Sequence, residues 1–398
     1  MKQKKKGLKN SAVLLGVTGS VASYKAPDLV KALKQEGASV TVVMTDASSR
    51  FVTPLSLEIA SGNRVYRGLF DEPVAAPHIS LARDSDLMLV APATANSIGK
   101  FASGVADDLL STVYMAFRGK VVVAPAMNWR MYEHPTLQKN LEYLKSLGVE
   151  EVPPEEGRLA CGEEGRGRMA TIERIVDAAS SALTEKSLAG RKLVVTAGPT
   201  REYMDAVRFM SNPSSGRMGY AIARRARRMG AEVTLVSGPS ELSPPGGVAF
   251  KAVESAEEMR EAVLESLKGA HALIMAAAVG DFRPAVKAGG KTEKSKVVSI
   301  KVERTPDILA EVGRRKRRPV IVGFAAEAGG NLERARKKLR EKGADIMVYN
   351  DIAAEGSGFG TDTNKVVIMD KGGAEEYPLL SKDEVAGLVL ERLASLWA

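Results

Sequence analysis

The sequence is poor in the residues that most often carry redox and acid–base chemistry. Its 398 residues include one cysteine, three histidines and two tryptophans, and only 5% of them are aromatic. A single cysteine excludes an internal disulfide. No apolar run approaches the roughly 20 residues of a membrane-spanning helix. We therefore expect a cytoplasmic protein with no membrane contact.

The charge balance is basic, with a formal net charge of +9. Such a charge suits nucleic acids and small phosphorylated ligands equally well. A protein that binds single-stranded nucleic acid also needs aromatic side chains beside its basic patches, and this chain has few aromatics. We expect no nucleic-acid partner, and we interpret the basic run Arg314–Arg318 as a solvated loop.

Two segments of the chain resemble each other, residues 29–43 and residues 222–236. Each reads as a helix, a Gly-Ala stop and a β-branched strand, and each follows its own strand and glycine-bearing turn. This pattern predicts an α/β protein with two doubly wound, Rossmann-like domains and mostly parallel sheets. A helix at Ile172–Leu183 and a polar linker place the boundary so that the domains are residues 1–186 and 187–398.

Short apolar runs predict strands that are buried on both faces. They are DLMLVAPAT, GKVVVAPAMN, HALIMAAAVGD, PVIVGFAAE and ADIMVYND. The first helix should pack one face on the sheet, with Ala26, Leu29, Val30 and Leu33 buried. Because ligands of such sheets bind at the carboxyl ends of the strands, the sites should lie where these runs end.

The only cysteine, Cys161, stands in the segment RLACGEEGRGRM, which is typical of a mobile loop. A structural cysteine is normally buried, so an exposed one favours chemistry, although a plain structural loop remains an alternative. His78 precedes a helix-like stretch, where a lone histidine is more often a surface or capping residue. Asn128 ends a strand and has an amide that can bind a carboxylate.

Hydroxyl and amide side chains follow several strands of the first half. Thr94, Asn96, Ser111 and Thr112 suit a phosphate or the edge of a heterocycle, and ordinary helix capping explains about half of them equally well. In the second half, Asp281 follows a strand and is a candidate Mg²⁺ ligand on a nucleotide triphosphate. Glycine-rich turns there suit phosphates.

The first half resembles a known family through motifs in a fixed order: GVTGSVASYKAP, MTDASSRFVTPLSLE, APATANSIGKFASGVADDLLST, PAMNWRMYEHP and ACGEEGRGRM. These are similar to the FMN-dependent cysteine decarboxylases, which include phosphopantothenoylcysteine decarboxylase and lantibiotic-processing enzymes. The resemblance implies that His78 is the base, that Asn128 orients the substrate carboxylate, and that Cys161 on a flap donates the final proton. It also implies an FMN site formed by Gly19, Ser20, Thr45, Thr94, Asn96, Ser111, Thr112 and Met127.

The second half resembles phosphopantothenate–cysteine ligase through TAGPTRE, VRFMSNPSSGRMG, AAAVGDFRP, RTPDIL, VGFAAE and YNDIAAEGSGFGTDTNKV. The order of the halves is similar to that of bifunctional enzymes of coenzyme A biosynthesis. The resemblance implies that CTP activates 4′-phosphopantothenate as an acyl-cytidylate, that cysteine then displaces the nucleotide, and that Asn212 contacts the acyl intermediate. The implied nucleotide site, with Mg²⁺ on Asp281, consists of Ala276, Ala277, Asp281, Lys291, Pro306, Asp307, Ile308, Leu309, Phe324, Lys338 and Lys342.

Two motifs depart from the family pattern, which often has AVAD and KIKK where this chain has AVGD and KTEK. The second departure leaves Lys291 and Lys294 as alternatives for the activation step. The family also implies trimers of the first half and dimers of the second, which together close into a homo-oligomer, expected to be a dodecamer.

Two other functions compete with a bifunctional enzyme. A nicotinamide dehydrogenase would need a G-x-G-x-x-G fingerprint and an acidic residue after the second strand, and no such fingerprint follows the first strand. A regulatory FMN-binding protein of the same fold is the remaining alternative. The presence of His78, Asn128 and Cys161 beside a complete ligase-like half argues against it.

Overall fold

The computed structural model describes residues 7–70, 76–291, 299–327, 332–351, 356, 358 and 360–397. The chain divides into two compact units, residues 1–185 and 186–398. Across the described residues, no helix is both long enough and apolar enough to cross a membrane.

The first unit contains a six-stranded sheet, every strand of which is parallel to its neighbours, in the order β3-β2-β1-β4-β5-β6. Its strands are β1 (Ala12–Val17), β2 (Ser39–Met44), β3 (Val65–Tyr66), β4 (Leu87–Ala93), β5 (Lys120–Pro125) and β6 (Glu150–Glu151). An antiparallel hairpin outside this sheet is formed by β7 (Glu155–Arg158) and β8 (Glu164–Arg168).

Helices and two 3-10 turns connect these strands. The helices are α1 (Ala26–Gln35), α2 (Pro54–Ser61), α3 (Pro77–Asp84), α4 (Ala95–Ser103), α5 (Leu109–Ala116), α6 (Trp129–Tyr132), α7 (Pro135–Ser146) and α8 (Ile172–Leu183). The 3-10 turns are Val21–Lys25 and Asp46–Arg50. The predicted helix at Ile172–Leu183 is confirmed with the same bounds.

Alternating side chains of the strands form a core on each face of the first sheet. Leu15 of β1 belongs to the core that α1, α2 and α8 cover, whereas its neighbour Leu14 belongs to the core under α4, α5 and α7. The predicted face of α1 is buried as expected. Because both faces of the sheet are covered, its strands read as continuous apolar runs in the sequence.

The second unit contains an eight-stranded sheet in the order β13-β12-β9-β14-β17-β18-β19-β20. The strands are β9 (Lys192–Ala197), β12 (Glu232–Ser237), β13 (Ala249–Ala252), β14 (Ala272–Met275), β17 (Val320–Glu327), β18 (Ile346–Asp351), β19 (Thr363–Asp370) and β20 (Gly373–Ser381). The first six in the sheet order are parallel, and β19 and β20 add an antiparallel edge.

In the described part of this unit, two small two-stranded sheets and five helices accompany the large sheet. The small sheets pair β10 (Arg201–Tyr203) with β11 (Phe209–Ser211), and β15 (Phe282–Pro284) with β16 (Val302–Arg304), both antiparallel. The helices are α9 (Arg217–Arg228), α10 (Ala256–Ser266), α11 (Ile308–Gly313), α12 (Leu332–Glu341) and α13 (Lys382–Ser395). The predicted fold class, two doubly wound units with mostly parallel sheets, is confirmed.

Candidate active sites

The turns that follow β1, β2 and β4 meet at the carboxyl edge of the first sheet. Thr18 donates a hydrogen bond from Oγ1 to the Pro92 carbonyl at 2.7 Å, and its Oγ1 accepts one from the Thr94 backbone N–H at 3.0 Å. A Cβ placed on Gly19 would lie 2.4 Å from the Cβ of Ala47, so only glycine allows this approach of the two turns. The edge is therefore the ligand-binding position expected of this topology.

Several hydroxyls that the sequence assigned to FMN have partners within their own helices. Ser20 caps the first 3-10 turn and Thr94 caps α4. Ser111 forms a capping box with Asp108, and Thr112 donates to the carbonyl of the same residue at 2.7 Å. Capping, the alternative weighed from the sequence, thus describes what these hydroxyls do in the structure.

Three buried side-chain polar atoms of the first unit, two in the segment that follows β2 and one in the first turn of α3, have no hydrogen-bond partner within the described part of the chain. They are the Thr45 Oγ1, the Ser49 Oγ and the His78 Nδ1. Buried polar groups are normally satisfied, so an unpaired one fits a position where a ligand completes the site. Asn96 lies in the first turn of α4, which follows β4, and Met127 lies two residues after the end of β5, so both stand near the ends of parallel strands.

The segment around Cys161 is a hairpin rather than an irregular loop, which corrects the prediction. The two strands β7 and β8 pair in antiparallel register, and the connecting turn closes through a 2.8 Å bond from the Leu159 N–H to the Glu163 carbonyl. Gly162 has a φ of +86°, which glycine adopts without strain. Alternating glycine and charged residues gave no apolar periodicity, so the sequence contained little strand signal.

The hairpin packs closely on the turn that follows β5. The Met127 N–H donates to the Gly167 carbonyl at 3.1 Å, and a Cβ on Gly167 would lie 2.1 Å from the Met127 carbonyl. A Cβ on Gly165 would likewise lie 2.7 Å from the Trp129 side chain. The glycines of this motif therefore serve close backbone approach.

This packing brings two of the predicted catalytic residues together. The Asn128 Nδ2 donates to the Cys161 Sγ at 3.3 Å, and Cys161 is exposed. The Asn128 Nδ2 also donates to Glu163 at 2.9 Å. No hydrogen bond between described residues links His78 to this group. Glu163 also belongs to this group of side chains and was not predicted from the sequence. The only feature of the sequence that pointed to it was its position two residues after Cys161.

The second unit contains a cavity of about 760 Å³ at the carboxyl ends of β14, β17 and β18. Most residues that the resemblance assigned to the ligase line it, namely Asn212, Ala276, Ala277, Asp281, Pro306, Asp307, Ile308, Leu309, Phe324, Lys338 and Lys342. Lys291 is exposed and is not among the lining residues. Lys294 lies outside the described residues.

Hydrogen bonds from the strand ends shape the floor of this cavity. The Thr196 Oγ1 accepts from the Ala277 N–H at 3.1 Å, and the Thr200 Oγ1 accepts from the Gly280 N–H at 3.0 Å. The Asn212 amide donates to the carbonyl of Val279 at 3.2 Å. These bonds fix the backbone of the segment that leads to Asp281.

Two cationic side chains that the sequence reasoning missed lie at the wall of the cavity. The Arg217 Nη1 donates to the Gly360 carbonyl and to Asp362, both at 2.8 Å. Lys382 is only 8% exposed, and its ammonium donates a hydrogen bond to the Thr361 carbonyl at 2.5 Å. Burial, reinforced by the charge of Arg217, lowers the pKa of Lys382. The first residues of α9 and of α13 thus both form hydrogen bonds with the loop at residues 360–362.

The charged groups of the predicted nucleotide site are partly paired with each other. Lys342 forms an ion pair with Asp307, whose side chain also caps α11. Within the described residues, no three His, Cys, Asp or Glu side chains converge in a way that would hold a metal ion. A metal ion at Asp281 would therefore depend on oxygens of a bound ligand.

Sequence comparisons agree with this division of the chain. Residues 1–184 match the family described as Flavoprotein, and residues 188–396 match the family described as DNA/pantothenate metabolism flavoprotein C-terminal domain. The fold and the site thus define a two-part α/β flavoprotein.

Full-length relatives make the assignment more specific. The chain is 45% identical over 397 residues to the Coenzyme A biosynthesis bifunctional protein CoaBC of Bacillus subtilis, covering 98% of both proteins. It is 41% identical over 396 residues to the protein of the same name from Escherichia coli, again over 98% of both. The chain therefore belongs to the family of bifunctional coenzyme A biosynthesis proteins, and it is a bifunctional enzyme. The predicted family and enzyme class are confirmed, and the regulatory alternative finds no support.

Proposed function

We propose that the protein catalyses two consecutive steps of coenzyme A biosynthesis. Residues 187–398 join 4′-phosphopantothenate to cysteine, and residues 1–186 decarboxylate the resulting phosphopantothenoylcysteine to 4′-phosphopantetheine. The observation that carries the proposal is the contact between Asn128 and Cys161, because it unites a carboxylate-binding amide and a thiol proton donor at the edge of the first sheet.

FMN is the cofactor of the first unit in this proposal. The unpaired Thr45 Oγ1 and the close approach of Gly19 to Ala47 support a ligand at this edge. The turns that carry Ser20, Thr94, Asn96, Ser111, Thr112 and Met127 complete the proposed site. Bound FMN would supply the two-electron oxidation of the substrate thiol and the later return of the electrons to the decarboxylated product.

The protein's own side chains bind the substrate and move its protons. His78 accepts the first proton as general base. Asn128 donates a hydrogen bond to the substrate carboxylate and so orients the bond that breaks. Cys161 supplies the proton that completes the product, and the hairpin that carries it covers the site against water.

CTP and Mg²⁺ are the proposed partners of the second unit. Phe324, Lys338 and Lys342 would hold the nucleotide, Asp281 the metal ion on its phosphates, and Asn212 the acyl intermediate. Lys291, or alternatively Lys294, would stabilise the charge that develops as the acyl-cytidylate forms. The position of the first five residues around one cavity supports this assignment.

The purified protein tests the first part directly. It should be yellow, and denaturation should release FMN, which mass spectrometry identifies. A truncation after Lys186 should keep the colour. Flavin that instead copurifies with residues 187–398 would contradict the assignment of the site.

The ligase part is tested by calorimetric titration with CTP and ATP, each with and without Mg²⁺. CTP with Mg²⁺ should bind more tightly than either CTP alone or ATP. Equal binding of both nucleotides would remove the preference for CTP.

We also propose that the enzyme is a homo-oligomer, a dodecamer of trimers and dimers. Large apolar side chains of the first unit are exposed along 21–59, which supports an interface there: Val21, Tyr24, Phe51, Leu55 and Ile59. Light scattering at micromolar concentration should give the mass of a closed assembly, and a monodisperse monomer would contradict it.

A further inference from the structure

One carboxylate of the hairpin contacts the side chains of three consecutive residues, two through hydrogen bonds and one through an ion pair. Glu163 accepts from the Asn128 Nδ2 at 2.9 Å and from the Trp129 Nε1 at 3.0 Å, and its other oxygen lies 3.1 Å from the Arg130 Nη2. The Arg130 guanidinium also lies 5.2 Å from the centre of the Trp129 ring, a distance that permits a cation–π contact. Two neutral N–H donors and a guanidinium form a complete binding site for a carboxylate.

The electrostatics of Glu163 agree with this description. The hydrogen bond from Asn128 is the largest effect on its pKa, and together with Arg130 it lowers the pKa of Glu163 in spite of partial burial. The side chain remains 39% exposed. Glu163 is therefore held by donors at the surface and is not locked into a core, so a competing carboxylate can displace it.

We propose that the Glu163 side chain occupies the binding site of the substrate carboxylate in the free enzyme. The substrate displaces Glu163 when it binds, and Glu163 returns to the site after decarboxylation. The inference rests on the proposed function of the first unit, where Asn128 binds the substrate carboxylate. Two ionised carboxylates repel each other at hydrogen-bonding distance from one amide, so they occupy it in turn.

The exchange also determines when Cys161 reaches the product. Cys161 and Glu163 are two residues apart in one tight turn, closed by the bond between Leu159 and Glu163 and by a 2.9 Å bond from the Gly162 N–H to the Leu159 carbonyl. When Glu163 contacts Asn128, the Cys161 Sγ lies 3.3 Å from the same amide. Loss of the carboxyl group as CO₂ thus removes the competitor of Glu163, and the return of Glu163 brings the thiol to the site. Glu163 is a positioning residue for Cys161.

The competition is tested by binding to the full-length, FMN-loaded protein in a His78→Asn background, in which we expect turnover to be about 10²- to 10⁴-fold slower. The ligands are phosphopantothenoylcysteine and 4′-phosphopantetheine, which differ by the carboxyl group alone. Adding Glu163→Gln should lower the Kd of phosphopantothenoylcysteine by about tenfold, because a repelling charge is removed. The Kd of 4′-phosphopantetheine should change by less than about twofold. The neighbouring Glu164→Gln is the matched control and should leave both unchanged. Equal effects of Glu163→Gln on both ligands, or none, would overturn the proposal.

The positioning role has its own readout with His78 intact. Glu163→Ala should release CO₂ in a single turnover but delay the recovery of the yellow flavin absorbance by tenfold or more, and Glu163→Asp should restore part of the rate. If the flavin absorbance of Glu163→Ala recovers at the parent rate, Glu163 does not position Cys161. A parent protein that releases no CO₂ would instead refute the proposed function itself, so the two failures are distinguishable.

Discussion

The two units of this protein share one sheet order but differ in how they form their sites. The order β3-β2-β1-β4-β5-β6 of the first unit is repeated by β13-β12-β9-β14-β17-β18 of the second. In the first unit, the β7–β8 hairpin supplies Cys161 and Glu163 from outside the sheet. In the second unit, a cavity is lined by the ends of β14, β17 and β18 and by residues of the loop before β19. The shared sheet therefore specifies where ligands bind, whereas the added segments specify the chemistry.

Removing the base of the first unit should have the largest effect. We expect His78→Asn to lower CO₂ release by about 10²- to 10⁴-fold, because the oxidation begins with proton removal. CO₂ trapping and flavin absorbance measure the loss, and ligase activity of the same sample is the control. A parallel loss of ligase activity would contradict this expectation, since it would show that the two activities are not independent.

In the second unit, Lys291→Gln should lower acyl-cytidylate formation by about a hundredfold, as expected when an electrostatic contact to the transition state is lost. Calorimetric CTP binding should change much less. Lys294→Gln is the matched control, and a larger defect there would transfer the role to Lys294. Lys291, unlike Lys338, does not line the cavity in the structure, so this variant tests whether a residue outside the cavity lining takes part in the reaction.

The smallest effect concerns stability of the second sheet. Asp345 accepts two hydrogen bonds from Arg318, at 2.5 and 3.0 Å, and one from the Ile321 N–H at 2.8 Å. Burial raises the pKa of Asp345, but these bonds outweigh it and lower the pKa overall. Asp345→Asn should therefore destabilise the second unit by about 1–2 kcal/mol at neutral pH.

The pH dependence of that variant follows from the direction of the shift. A carboxylate whose pKa is lower in the folded state stabilises the fold above its unfolded pKa of about 3.9 and loses that contribution as the pH falls through the folded value. The difference between parent and Asp345→Asn should vanish in this acidic window. Hydrogen exchange of β17 and β18 measures it, with β1 and β4 of the first unit as the internal control. A difference that persists below the window would show that packing, and not charge, is responsible.

The sequence predicted the regular parts of the fold well, for a physical reason. Strands such as β4 and β14 are buried on both faces, so their apolar runs were visible, and the face of α1 followed helical periodicity. The edge strand β20 is largely exposed and polar, and it gave no comparable signal. The β7–β8 hairpin was missed because glycine and charge replace the apolar alternation on which strand prediction depends.

The candidate sites were predictable only where a motif marked them. Asn128 and Cys161 stand in motifs of the family, and the structure places them in contact. Glu163 and Lys382 interact through the tertiary structure, the first with the turn after β5 and the second with the loop before β19. Pairing of such distant segments cannot be read from local sequence, although Ser381 and Glu384 around Lys382 formed a recognisable capping box at the start of α13.

The most direct test of the account is a single turnover of Cys161→Ser, followed by flavin absorbance and CO₂ trapping. Serine is a far weaker acid than a thiol with an ordinary pKa of about 8.5. If Cys161 is the proton donor, we expect one equivalent of CO₂ per enzyme, a flavin colour that bleaches without recovering, and unchanged ligase activity in the second unit. Repeated turnover near the parent rate would contradict it, because Cys161 would then not be the proton donor and the hairpin would be a structural element alone.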